Sequence, residues 1–166
     1  MLQNLHKASV ANNLNLFANA EQASIYVAHQ IAELIWQHQK QGKPTILGLA
    51  TGNTPKRVYQ ELIRLHHNES LSFANVISFN LDEYYPIYPE NQQSYTYFMR
   101  QYLFDHKILS LKTSTYLMLI GIAEYCKDYE NKIANSGGLD LQLLGIGRNG
   151  IKVLTNPVLA LILRLV

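Results

Sequence analysis

Two adjacent carboxylates are the residues of this chain best suited to acid–base chemistry. Asp82 and Glu83 follow an apolar run over residues 75–81. A carboxylate at the end of a strand can move a proton between neighbouring atoms of a bound substrate. The same pair would also suit a capping pair on a solvated loop. We name Asp82 and Glu83 as candidate catalytic residues and leave both interpretations open at this point.

A second group of residues could bind an anion. Thr51, Gly52, Asn53 and Thr54 lie between an apolar run and a helical pattern. Glycine lets the backbone approach an anion closely, and a helix start offers N–H groups and the positive end of a dipole. An ordinary capped turn would use the same residue types. The sequence is neither a Walker loop nor a GxGxxG fingerprint, so it gives no support to nucleotide binding.

A third group, rich in glycine, covers residues 145–150. Gly145 and Gly147 would permit tight backbone turns close to a sugar or a phosphate, although a plain strand-to-loop turn is the alternative. None of the six histidines has a spacing that completes a metal site, and we expect no metal. The single cysteine, Cys126, is expected to be a buried or neutral thiol and not a nucleophile.

Helices and strands alternate along the chain and would position these groups. Apolar spacing predicts helices over 20–41, from 55 onward, over 93–105 and over 121–136, and short apolar runs predict strands over 45–50, 75–81 and 139–144. Thr54 is expected to cap the second helix, with Pro55 in its first position. This alternation is typical of an α/β fold with a largely parallel sheet. Since ligands of such sheets bind beyond the carboxyl ends of the strands, the three groups would form one site.

Composition limits the classes of partner. The 166 residues suit one domain, and a net charge of +2 gives no electrostatic reason to expect nucleic acid or an acidic membrane. No window holds about 18 uninterrupted apolar residues, which is the length that a membrane span requires. With no apolar signal segment at the start and one cysteine, the chain is expected to be cytoplasmic.

The motifs together resemble those of the glucosamine-6-phosphate deaminases. Residues 47–55 are similar to the family's phosphate loop, residues 79–84 to its proton-transfer motif and residues 139–150 to its third signature. The resemblance covers roughly residues 15–150. It implies a Rossmann-like, three-layer α/β/α fold with a largely parallel sheet, incomplete at its carboxyl end.

The resemblance also implies an activity. Glucosamine 6-phosphate would be converted to fructose 6-phosphate and ammonia without a cofactor, with Asp82 moving a proton between C1 and C2 of the opened sugar. Residues 51–54, with Gly145 and Gly147, would bind the substrate and its phosphate, and Asn149 joins Asp82 and Glu83 as a catalytic candidate. Members of the family in full length are expected to form homo-oligomers.

The chain departs from the family pattern after Gly150. The family has His next and then a segment ending Phe-Asn-Glu-Pro-Gly, and these residues open the sugar ring. Here an apolar tail, expected to form a strand, covers residues 151–166. One allowed codon choice for this tail, read one base earlier, encodes His-Lys-Gly-Phe-Asn-Glu-Pro-Gly. We therefore expect residues 1–150 to be a partial domain, residues 151–166 to be a frameshifted tail, and the chain to be inactive.

Two other functions remain open. One is a lactone hydrolase similar to the 6-phosphogluconolactonases of the same superfamily. The other is a sugar-phosphate sensor without catalysis, although residues 1–20 are too short for the DNA-binding segment that such regulators carry.

Overall fold

The computed structural model describes residues 14–106, 122–145 and 159–163 of the chain. In chain order the elements are α1 (Ala20–Lys40), β1 (Thr45–Leu49), α2 (Lys56–Glu69), β2 (Val76–Asn80), α3 (Tyr95–Tyr102), a short 3-10 helix (Phe104–His106), α4 (Ile122–Asn135), β3 (Leu141–Gly145) and β4 (Leu159–Leu163). Alternation of helices and strands is confirmed.

The four described strands form one parallel sheet in the order β2-β1-β3-β4. The central strand β1 pairs with β2 on one side, where Leu49 lies opposite Asn80, and with β3 on the other, where Gly48 lies opposite Gln142. All five residues of β1 are buried, as expected for a strand covered on both faces. The carboxyl ends of all four strands therefore meet at one edge.

Successive side chains of each strand point to opposite faces of the sheet, and both faces are packed. One face joins α1 and α2 in the main core, to which the strands contribute Leu47, Leu49, Val76, Leu141 and Leu143. Phe79 contacts the other side, where its ring meets that of Tyr129 in α4 at 5.6 Å and 86°. Helices thus cover both faces of the sheet, and the expected three-layer α/β/α fold is confirmed.

Capping and turn residues determine where the helices begin and end, and one predicted cap is wrong. Asn19 caps α1 by accepting a hydrogen bond of 2.9 Å from the Gln22 amide, and Gly42 follows the helix with φ at +66°. The capping role expected of Thr54 is wrong: α2 begins at Lys56, and its cap position is Pro55. Proline fixes φ close to the helical value, so the chain enters the helix one residue later.

The third predicted helix is shorter than expected. Ser94 caps α3 through a hydrogen bond of 3.3 Å from the Tyr97 amide, and Leu103 leaves helical geometry before the 3-10 turn. The apolar tail does contribute a strand, because Leu159–Leu163 pairs in parallel with β3 over its whole length. Residues 151–158 and 164–166 lie outside the described residues.

Candidate functional site

The three predicted groups lie at the same edge of the sheet. Leu49 pairs with Asn80, and extending that register by two residues places Thr51 beside Asp82. Gly48 pairs with Gln142, and the same extension by three places Thr51 beside Gly145. Neighbouring strands are about 4.8 Å apart, so one sugar phosphate can span these positions. The anion loop (residues 51–54) and Asp82 therefore follow adjacent strands at the same edge of the sheet.

The anion loop has the backbone that an anion site needs. Gly52 has φ at +102°, a conformation that side chains disfavour, and Gly52 and Asn53 are exposed. Among the described residues no side-chain hydrogen bond caps the start of α2, so its first N–H groups have no side-chain acceptor. Such a helix start attracts an anion through its N–H groups and its dipole.

Gly145 closes the third side of the anion loop. An ideal Cβ on Gly145 would lie 3.7 Å from the Cβ of Thr54, so the end of β3 lies beside the loop. The two remaining residues predicted from the glycine-rich group, Gly147 and Asn149, lie outside the described residues.

Two tyrosine hydroxyls fix the strand ends that carry the site. Tyr59 of α2 donates a hydrogen bond to the carbonyl of Ala50, and Tyr129 of α4 donates one to the carbonyl of Asn80. Burial raises the pKa of Tyr59, so its hydroxyl stays protonated and remains a donor. Neither hydroxyl was predicted to be part of the site.

Asp82 lies in an environment that favours its protonated form. Its side chain is exposed at the strand edge, but nearby atoms remove part of its hydration and the charge of Glu83 is adjacent. The loss of hydration and then that charge raise the pKa of Asp82. A carboxylate with a raised pKa accepts a proton more readily than an ordinary aspartate.

Glu83 lies in a different environment, although it is next in sequence. Its carboxylate accepts hydrogen bonds of 2.8–2.9 Å from the amides of Tyr84, Tyr95 and Thr96 and from the hydroxyl of Ser94. Burial opposes ionisation of this carboxyl, but the four donors outweigh burial, and the pKa of Glu83 is lowered. The two carboxylates thus differ in their suitability for proton transfer.

Tyr95 joins the two loops and was not predicted as a site residue. Its hydroxyl is close enough to the side chains of Tyr84 and Thr51 for hydrogen bonding to influence its ionisation, and the charge of Asp82 acts on it too. Burial, the Tyr84 hydrogen bond and that charge raise the pKa of Tyr95. No periodic signal would have found it, because a loop separates Tyr95 from Asp82.

The described residues also include one free cysteine and several possible metal ligands. Cys126, expected to be buried or neutral, is exposed on α4. Within the described residues no cluster of three or more His, Cys, Asp or Glu side chains could hold a metal ion. No helix in the described part of the chain is long and apolar enough to cross a bilayer.

Comparison with known proteins agrees with the geometry. The model of the family "Glucosamine-6-phosphate isomerases/6-phosphogluconolactonase" matches residues 18–150. A glucosamine-6-phosphate deaminase of Colwellia psychrerythraea is 48% identical over 139 residues, which cover 81% of this chain and 50% of that protein. Glucosamine-6-phosphate deaminase 2 of Giardia intestinalis is 41% identical over 90% of this chain and 56% of that protein.

Solved structures give the same result. A monomeric glucosamine-6-phosphate deaminase superposes with a TM-score of 0.75 at 35% identity, covering 81% of this chain and 55% of that one. The 6-phosphogluconolactonase of Thermotoga maritima has a TM-score of 0.67 at 22% identity, covering 79% of this chain and 59% of that one, and shares the fold. The chain thus spans about half the length of the relatives that it matches.

Proposed function

Because this chain belongs to the family of glucosamine-6-phosphate isomerases and 6-phosphogluconolactonases, we propose that it carries the phosphate-binding and proton-transfer half of a glucosamine-6-phosphate deaminase. The reaction would convert glucosamine 6-phosphate and water to fructose 6-phosphate and ammonia. Asp82 would act as the base, and residues 51–54 would bind the phosphate.

One observation carries this proposal. Thr51 and Asp82 follow neighbouring parallel strands in matched register, and Tyr95 interacts with both loops. A phosphate bound at the anion loop would hold the sugar carbons over Asp82. Binding energy from the phosphate would then fix the reacting carbon within reach of the carboxylate.

The proton transfer requires one base and no electron acceptor. With the ring open and the amine on C2 present, Asp82 removes the proton from C2 and returns it to C1. The C1 carbonyl oxygen takes up a proton from solvent, which gives an enolamine, and return of the C2 proton turns C1 into a hydroxymethyl group. The C2 imine formed at the same time adds water, and ammonia leaves. The raised pKa of Asp82 favours the first of these steps.

Binding of glucosamine 6-phosphate by the 166-residue chain tests the phosphate site. We expect the amide NMR signals of residues 51–54 and of Asp82 to shift on addition of glucosamine 6-phosphate. Glucosamine without phosphate is the control and should shift them far less. No response to the phosphorylated sugar would contradict the proposal.

A lactone hydrolase is the second candidate, since the matched family includes 6-phosphogluconolactonases. The relatives with more than 40% identity that we describe are deaminases, and the lactonase match at 22% identity supports the fold alone. Ammonia release and lactone hydrolysis, assayed side by side on a version with the family reading frame restored, separate the two. Lactone hydrolysis without ammonia release would replace our proposal.

We further propose that residues 151–166 are translated in a shifted frame. The family match ends at residue 150, which supports this placement. DNA sequencing across this segment tests it, and an intact frame encoding the same residues would refute it.

We also propose a cytoplasmic site of action. The homo-oligomer expected for the full-length family has no support here, since one related deaminase is a monomer.

A further inference from the structure

The carboxylate of Glu83 is saturated by protein donors. Oε1 accepts from the amides of Tyr84 and Tyr95, each at 2.9 Å. Oε2 accepts from the hydroxyl of Ser94 at 2.8 Å and from the amide of Thr96 at 2.9 Å. A carboxylate offers about four lone-pair directions, and all four are used. None is left to accept a proton from a substrate carbon.

These donors come from both ends of one loop. Tyr84 begins the segment between β2 and α3, and Ser94 is the cap of α3. The amides of Tyr95 and Thr96 are the first two of the helix and have no acceptor within it. Glu83 therefore joins the two ends of the loop and holds them at the amino-terminal end of α3, where the helix dipole is positive.

The anchored segment holds two side chains of the site. Asp82 precedes Glu83 directly, and Tyr95 lies one residue beyond the Ser94 cap. The Tyr95 hydroxyl interacts with Thr51, and the charge of Asp82 acts on the same hydroxyl. We propose that Glu83 is a positioning residue that fixes Asp82 and Tyr95 against the anion loop and does not itself transfer the proton.

This inference rests on the proposed function and replaces the catalytic role expected of Glu83. The titratable groups that contact or adjoin Glu83 are Asp82, Tyr84 and Tyr95. The hydrogen-bond geometry and the two pKa shifts both make Asp82 the better proton acceptor. The four donors lower the pKa of Glu83, whereas loss of hydration and the Glu83 charge raise the pKa of Asp82. The charge of Glu83 thus makes Asp82 a stronger base.

The first test uses the 166-residue chain without substrate. Glu83→Gln replaces one oxygen by an NH2 group, which turns away two of the four donors. We expect the amide that then faces the NH2 group, either that of Tyr95 or that of Thr96, to exchange hydrogen about tenfold faster or more, and the Asp82 carboxyl to titrate at lower pH by NMR. Glu90→Gln makes the same change at an exposed position of the same loop and should alter neither.

Ser94→Ala is a second variant in case Glu83→Gln does not fold. It removes one donor to the carboxylate and should speed exchange at the same amides by a smaller factor. Unchanged exchange at both Tyr95 and Thr96 in folded Glu83→Gln, or in Ser94→Ala where only that variant folds, would overturn the proposal.

The second test uses the version with the family frame restored. We expect Glu83→Gln to retain turnover with a lower kcat/KM and to move the acid limb of its pH–rate profile to lower pH, following Asp82. Loss of all turnover and of the acid limb, with Asp82 titrating as in the parent, would identify Glu83 as the base and overturn the proposal. If the parent itself releases no ammonia, the proposed function fails, and the exchange experiment still decides the anchoring role.

Discussion

At the scale of single residues, Asp82 and Glu83 show how neighbours in sequence acquire opposite properties. Asp82 follows the end of β2 and accepts no hydrogen bond from the described residues, whereas Glu83 turns toward the start of α3 and accepts four. The sequence predicts a pair of carboxylates at this edge. It cannot assign the function of each, because that depends on where a helix start some ten residues later lies in space.

Asp82→Asn should abolish proton transfer and stabilise the fold. We expect turnover of the frame-restored version to fall by about 10²- to 10⁴-fold, the range for loss of a general base. Because folding raises the pKa of Asp82, its charge disfavours the folded state above that pKa, so the neutral variant should melt at a higher temperature at pH 7. Asp128→Asn, at an exposed site on α4, should change neither. An equal or lower melting temperature of Asp82→Asn would contradict the stability argument.

Tyr95→Phe should weaken sugar-phosphate binding and leave the fold intact. The ring is kept, including its packing 4.9 Å from the ring of Tyr84, but the hydroxyl that interacts with Thr51 and Tyr84 is lost. One neutral hydrogen bond is worth about 0.5–1.5 kcal/mol, so affinity should fall roughly two- to tenfold. Titration calorimetry measures the affinity. Tyr97→Phe in the same helix is the control, and an equal loss there would show that the effect is not specific to the site.

At the scale of elements, the loop after β1 depends on one backbone conformation. Gly52 has φ at +102°, and a Cβ added there would meet nothing within 4 Å. Any cost of Gly52→Ala is therefore conformational. We expect a loss of about 1 kcal/mol in the free energy of unfolding, measured by urea denaturation.

Gly145→Ala is the matched comparison for stability. Its added Cβ would lie in ordinary contact with Thr54, at 3.7 Å, and Gly145 is not in the left-handed region. The substitution should alter stability by less than Gly52→Ala does. If the two variants lose equal stability, backbone strain at Gly52 is not the cause.

The elements themselves were largely predictable, and their junctions were not. Helical spacing predicted α1 and α4 to within a residue or two, because each pattern runs for many turns. The cap of α2 was predicted at Thr54 but lies at Pro55. Threonine and proline both favour helix starts, so the sequence does not decide which of two adjacent residues is the cap. The hydrogen bonds from Tyr59 and Tyr129 to strand-end carbonyls join distant segments, and no local pattern encodes them.

At the scale of the whole molecule, acid stability should depend on a few carboxylates. Hydrogen bonds and charge from Arg64 lower the pKa of Glu61, in spite of its partial burial, and four donors lower that of Glu83. A pKa lowered by folding adds stability that is present above the unfolded value and is lost as the pH falls through the folded one. The double variant Glu61→Gln with Glu83→Gln should therefore be less stable than the parent at pH 7 and closer to it at about pH 3. Urea denaturation at both values measures this, and a difference that stays constant with pH would contradict it.

The four donors to Glu83 have a consequence for altering this protein. The anion loop follows β1, the strand that is paired on both sides and buried throughout, whereas the segment bearing Asp82 is held to α3 by the hydrogen bonds of Glu83 and by the contact between the rings of Tyr84 and Tyr95. Exposed tyrosines 84, 85 and 88 line that segment and take no part in the main core. A library that varies Tyr85 and Tyr88 while keeping Glu83 and Ser94 should therefore leave both the fold and the anchoring of Asp82 unchanged.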